Sequence, residues 1–154
     1  MKTISLRVTV VVEHQGNILL IKEKKSSGEG YSLPGGKVEF LESIADAVRR
    51  EVQEETGLLV EMERVLWVDE RMDPAGEGKH TIGIAVLARL AGDVTTPAPG
   101  GVEDEQIEWA GWITLEEWKT IPLHPDAVRE RVIHALAGTD RSLAYLGNVL
   151  GEQM

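Results

Sequence analysis

Glu51, Glu54 and Glu55 stand at i, i+3 and i+4 in a segment that reads as a helix, so they share one face. Carboxylates at this spacing repel each other by about 0.2–0.5 kcal/mol per pair on an exposed helix. Arg50 can pair with Glu54 at i+4 and offset part of that. A hard divalent cation would offset the rest. Mg²⁺ takes oxygen ligands and keeps several waters, which leaves room for the phosphates of a substrate. Upstream, Gly35 and Gly36 permit close backbone approach, so a carbonyl or amide there can face a metal or a phosphate. Helical spacing alone does not separate this metal face from a solvated acidic one, which is the commoner meaning of a glutamate-rich helix.

The elements that must position these groups are legible in the pattern. Ser43 to Thr56 reads as a helix, with Ser43 at its N-cap, Asp46 in its first turn and Gly57 at the left-handed position after its end. Ala45, Val48 and Val52 lie largely away from the glutamates and can pack on a sheet. Thr3 to Val12 alternates, with Ile4, Leu6, Val8, Val10 and Val12 on one face, and predicts a half-buried strand. A turn at residues 14–17 and a returning strand from Ile18 to Lys24 complete a hairpin. Leu33-Pro34-Gly35-Gly36 reads as a tight turn. Further strands are expected over Leu58 to Val68, Thr81 to Leu90 and Ile107 to Ile113, with polar loops over Arg71 to Lys79 and Ala91 to Glu105. Leu115 to Thr120 and Pro125 to Ala137 look helical. So does the tail from Ser142 to Leu150, where Leu143, Leu146 and Leu150 recur at helical spacing.

The 154 residues fit one domain, residues 1–154, with a core over 1–138 and a tail over 139–154. Hydrophobic residues make up 42% and charged residues 27%, an ordinary globular composition that disfavours disorder and fibres. With no cysteine, disulfide frameworks, thiolate metal sites and cysteine nucleophiles are excluded. The apolar start is broken by Arg7 and ends at Glu13, unlike a signal peptide, and no stretch approaches the roughly 20 apolar residues of a membrane span. The expectation is a cytoplasmic protein without a membrane partner. A net charge of −10 argues against a large nucleic-acid interface, yet admits a small phosphate ester where cations reverse the local field. The apolar tail makes a homodimer a candidate assembly.

The longer spacing sharpens the glutamate helix. From Gly36 the chain runs five residues to Glu42, then seven to Arg50-Glu51-Val52-Gln53-Glu54-Glu55-Thr56-Gly57-Leu58. This resembles the Nudix box, Gly-x5-Glu-x7-Arg-Glu-U-x-Glu-Glu-x-Gly-U with U a bulky aliphatic, at every specified position from Gly36 to Leu58. Leu41 stands where many members carry glycine, at an unspecified position. The resemblance implies an α+β fold, an α/β/α sandwich with a mixed sheet and the catalytic loop–helix between layers. It implies Glu51 and Glu55 as main metal ligands, Glu54 as a ligand or proton acceptor and the Gly35 carbonyl as a further ligand. Arg50 would orient a cluster glutamate. Gly36, Glu42 and Gly57 would support the box, Glu42 by ion pairing. The implied cofactor is Mg²⁺, with Mn²⁺ as substitute. The implied reaction is attack of water on a diphosphate linkage of a nucleotide-type substrate.

Some relatives take the water proton on a late-loop acid, and Glu105 is the favoured candidate among Glu103, Asp104, Glu105 and Glu108. Pro74, 16 residues beyond the box, tilts the substrate towards ADP-ribose or another nucleoside diphosphate sugar, as in similar proteins. The alternative is a nucleoside triphosphate, oxidised ones included. A catalytically silent nucleotide sensor of this fold is disfavoured because every box glutamate is present. Tyr31, Trp67, Trp109 and Trp112 are better read as packing residues than as base-stacking ones. Arg7, Arg71 and Lys79 are read as surface charges, and the four histidines are given no role.

Overall fold

A computed structural model describes residues 2–24, 30–73, 79–100, 107–138 and 143–150. Ile4–His14 forms strand β1 and Asn17–Glu23 returns antiparallel as β2, after a turn in which Gln15 and Gly16 take φ of 53° and 81°. Gly35–Lys37 is a short strand β3, and Ile44–Thr56 is helix α1. Then follow β4 (Val60–Asp73), β5 (Lys79–Leu90) and β6 (Ile107–Thr114). The chain ends in a short helix α2 (Leu115–Trp118), a 3₁₀ turn (Asp126–Val128), helix α3 (Arg129–Ala137) and strand β7 (Ala144–Asn148).

The strands form one seven-stranded sheet in the order β6-β2-β1-β5-β4-β7, with β3 attached to β1. The β1–β5 and β4–β7 pairs are parallel and the others antiparallel, so the sheet is mixed. Alternation along β1 splits the core into two layers. Val8, Val10 and Val12 pack with Ala47, Val48 and Val52 of α1 on one face. Val11 packs on the other with Trp67, Ala85, Trp118, Val128, Val132 and Ala135. Helices therefore cover both faces, which is the expected α/β/α arrangement.

Three sequence expectations change. The first strand is buried on both faces instead of half-buried, because α3 and the 3₁₀ turn cover the side that carries Arg7 and Thr9. The strand after the helix runs on to Asp73, past the Arg71 where a loop was expected to begin. The tail is a strand, not a helix: Ala144–Asn148 pairs in parallel with β4 at Trp67, Val68 and Glu70. The open backbone edge of β4 offers hydrogen bonds that a short isolated helix would have to supply from its own marginal nucleus. Among the described residues no helix is long and apolar enough to cross a membrane.

Candidate active site

Helix α1 is fixed at both ends. Ser43 accepts from the Asp46 amide at 3.0 Å, and Gly57, at φ 76°, closes the C-terminus by donating to the Gln53 carbonyl. Beyond it, the Ala98 and Gly100 amides donate to the Thr56 and Glu55 carbonyls at 3.0 and 3.1 Å. A Cβ on Gly100 would run into the Glu54 backbone carbonyl, so only glycine lets this loop close on the helix. The sequence reading missed that clamp. The Pro97-Ala98-Pro99-Gly100 run was its only signal.

The glycine turn is pinned as firmly. Gly35 and Gly36 lie opposite Thr9 and Val8 of β1, and the amides of Val10 and Val38 tie the flanks to Pro34 and Leu6 at 2.8 Å. The two elements then meet. The Gly35 amide donates to Glu55 Oε1 at 2.8 Å, and a Cβ on Gly36 would fall 2.5 Å from both carboxylate oxygens of Glu51. Glu51 and Glu55 are only 5% and 2% exposed. This overturns the expected division of the helix, in which apolar residues alone face the sheet: the buried stripe is Ala47, Val48, Glu51, Val52, Glu55 and Thr56. Burying a carboxylate is costly unless it is paired or holds a metal.

Arg50 supplies part of the pairing. It forks onto Glu42 at 2.7 and 2.9 Å, reaches Glu51 Oε1 at 2.8 Å and Glu54 Oε2 at 3.3 Å, and donates to the Lys37 carbonyl at 3.0 Å. The hydrogen bond from Arg50 holds the Glu42 carboxyl below the usual glutamate range, and the same pair raises Arg50 further above its ordinary value. The Arg50 guanidinium is shared by Glu42, Glu51 and Glu54, with Glu39 at 4.0 Å. No basic side chain lies in the last turn of α1, and the helix dipole there adds to the negative field.

These residues fit a divalent cation. The donors are hard oxygens, and two of the carboxylates are buried, with Glu51 packed against the glycine turn where a side chain on Gly36 would stand. Among the described residues no three or more acidic or histidine side chains already enclose a point, so a cation would be held by few protein ligands and several waters. Glu54 holds Arg50 through one oxygen, Oε2, at 3.3 Å.

Glu105 and Pro74, expected as extra base and substrate marker, lie outside the described residues, as do Glu103 and Asp104. Trp67 is fully buried and donates to Asp69 at 2.9 Å, Trp109 packs edge-on against Tyr31, and Trp112 donates to the Thr95 carbonyl at 2.7 Å, so all three are packing residues here. Arg7 and Arg71 are not surface charges: both line a cavity with Thr9, Ser32 and His124, and the Arg71 side chain is only 15% exposed.

Comparison with known proteins agrees with this geometry. The family model described as the NUDIX domain matches residues 2–136. An ADP-ribose pyrophosphatase of Methanocaldococcus jannaschii is 37% identical over 89 residues, 57% of this chain and 52% of that protein. The 8-oxo-dGDP phosphatase NUDT18 of Mus musculus is 36% identical over 106 residues, 68% of this chain and 30% of that protein. The chain thus spans about half or less of these curated relatives. The solved MutT NUDIX hydrolase of Burkholderia pseudomallei superposes with a TM-score of 0.68 at 32% identity, covering 86% of this chain and 98% of that one.

Proposed function

The chain belongs to the Nudix hydrolase family, and we propose that it cleaves the diphosphate linkage of a nucleoside diphosphate derivative with the help of Mg²⁺, for which Mn²⁺ can substitute. The observation that carries this reading is the pair of buried carboxylates, Glu51 and Glu55, turned onto the Gly35–Gly36 backbone. Members of the family generally need a divalent metal. Complete retention of the box glutamates favours an enzyme over a nucleotide sensor.

In the reaction a water oxygen bonds to one phosphorus, the bridging P–O bond breaks, and the bridging oxygen leaves with the other phosphate. The water gives up its protons. A bound divalent cation would polarise the phosphoryl oxygens, acidify water and neutralise the leaving charge. Glu51, Glu55 and the Gly35 carbonyl would hold it. Arg50 keeps Glu51 in place and Glu42 keeps Arg50 in place. Glu54, the most exposed of the three box carboxylates that Arg50 holds, and Glu105 are the candidate proton acceptors, a role worth about 10²–10⁴ in rate. ADP-ribose and 8-oxo-dGDP, named for the two curated relatives, are the first substrates to assay, with nucleoside triphosphates next.

The test is product analysis with Mg²⁺ over such a panel, for the parent and for Glu51→Gln and Glu55→Gln. Each substitution should lower turnover by about 10²-fold or more while nucleotide binding persists. Near-normal turnover in both would defeat the assignment. Tight nucleotide binding with no turnover on any member would point to a sensor.

A further inference from the structure

We propose that Arg7 and Arg71 form a cradle for a terminal phosphate of the substrate, making the enzyme selective for nucleotides that end in a phosphate monoester. The proposal rests on the diphosphate-hydrolase reading for its catalytic part only.

The two arginines come from strands that are not neighbours. β5 lies between β1 and β4, and both Arg7 and Asp69 stand opposite Gly83 of β5, with Arg71 opposite Thr81. Gly83 has no side chain to separate them, and a Cβ there would collide with Asp69. The result is two guanidinium groups over one strand, under the cover of the segment from His124 to Val128. Burial, and next the Arg7 charge, push Arg71 down to about 10, so it remains a cation at neutral pH.

Among the described residues one acidic partner stands against the two arginines, and it pairs with Arg71, which also reaches Thr9 Oγ1 at 3.5 Å. Asp69, fully buried, lies 3.5 Å from Arg71 Nε, and its other oxygen is committed to Trp67 at 2.9 Å. The Nε groups of both Arg7 and Arg71 are buried without a hydrogen-bond acceptor among the described residues. Orphan charged donors of this kind are costly, and two like charges side by side more so. An arrangement that is unfavourable alone becomes favourable once an anion enters, because guanidinium groups bind phosphate through paired charge-assisted hydrogen bonds.

Charge and place select the anion. The cavity between the two arginines is small, about 20 Å³. Thr9, Ser32 and His124 add polar groups to its wall. Arg7 Nη2 is 3.1 Å from where a Cβ on Gly35 would stand, and the Gly35 amide binds Glu55 at 2.8 Å. Cradle and glutamate site are separated by one glycine, so a phosphate held here neighbours the scissile linkage. A terminal monoester brings two charges to two arginines. A sugar-capped phosphate brings one.

The test begins without metal. In excess chelator, inorganic phosphate should raise the melting temperature of the parent in a saturable way, and Arg7→Met should need about tenfold more phosphate, the loss of one charge-assisted contact. Arg71→Lys, which keeps charge but not the fork, should fall between. With Mg²⁺, the parent should show a kcat/KM for a nucleoside diphosphate about tenfold or more above that for the matching nucleoside diphosphate sugar, and Arg7→Met should bring the ratio towards one. No phosphate-dependent stabilisation of the parent, or the same response in the parent and Arg7→Met, overturns the cradle. Absence of turnover with an intact phosphate response would refute the hydrolase reading and leave the cradle standing.

Discussion

Replacing Gly36 by alanine perturbs the site without removing any charge. The added Cβ would fall 2.5 Å from both oxygens of Glu51, where ordinary contact begins near 3.4 Å, so the carboxylate must retreat by roughly 0.9 Å. It cannot retreat freely, since Glu51 is buried and bound to Arg50 at 2.8 Å. A misplacement of about 1 Å in a catalytic constellation costs on the order of 10²-fold, or about 2.7 kcal/mol of transition-state stabilisation. Overpacking itself costs about 1–3 kcal/mol of stability, a fall of roughly 2–10 °C in Tm for a chain of this size. The assay is kcat over a Mg²⁺ titration on whichever nucleotide the panel identifies, with a thermal melt to show that the fold survives. Turnover should drop about 10²-fold and half-activation should need more Mg²⁺. A folded Gly36→Ala protein with turnover within about threefold of the parent, at an unchanged Mg²⁺ requirement, would refute the idea that Glu51 acts from its position against the glycine turn.

Glu42→Gln should weaken the hold on Arg50 and raise the Mg²⁺ needed for half-maximal activity by about tenfold, as loss of a residue that supports metal ligands does. The same variant has a pH signature. The Glu42 carboxyl titrates below its unfolded value, so its contribution is complete above the ordinary glutamate range and is lost as pH falls through the lowered folded value. Melting temperature should therefore fall less steeply with acid in Glu42→Gln than in the parent. Deleting residues 139–154 removes β7 and, just after it, the buried Val149 with its amide bond to the Glu70 carbonyl at 2.9 Å, and should lower Tm by about 5 °C or more. Light scattering of the same deletion tests the proposed homodimer: an unchanged mass removes β7, with exposed Tyr145 on it and exposed Leu143 just before it, from that role.

The boundaries of α1 were legible because Ser43 and Gly57 do local jobs that depend on residue type alone. The hairpin of β1 and β2 was legible for the same reason, through alternation and the turn at Gln15 and Gly16. What escaped depended on neighbours distant in sequence. Leu143, Leu146 and Leu150 keep helical spacing, yet the segment became a strand because β4 had an unpaired edge for it, with Asn148 accepting from the Met72 amide at 3.2 Å. Glu51 and Glu55 sit one turn apart on the stripe of Ala47, so their direction was implicit in the 3.6-residue period. Residue type argued the other way, since carboxylates usually face water. Arg7 was misplaced by the same logic: alternation set it beside Thr9 and Val11, but only the packing of the late helical segment reveals that this face is covered.

Both misreadings concern charge carried into the interior, and the two cases have opposite sign. On the α1 side of the glycine turn, Arg50 is shared by Glu42, Glu51 and Glu54 beside the buried Glu55, at the negative end of a helix. On the other side, Arg71 pairs with one buried aspartate while the Nε of the adjacent Arg7 is buried without an acceptor among the described residues. Burying charge of either sign carries a desolvation cost. In the proposed complex a metal–phosphate ligand would relieve both together, with its cation on the glutamates and its anion on the arginines. Gly35 is what allows the two to lie so close: any side chain there would strike the Val8 carbonyl and crowd the Arg7 guanidinium. Gly35, one residue ahead of the box, is therefore held to glycine by the strand behind it, as Gly36 is by Glu51 on the helix in front.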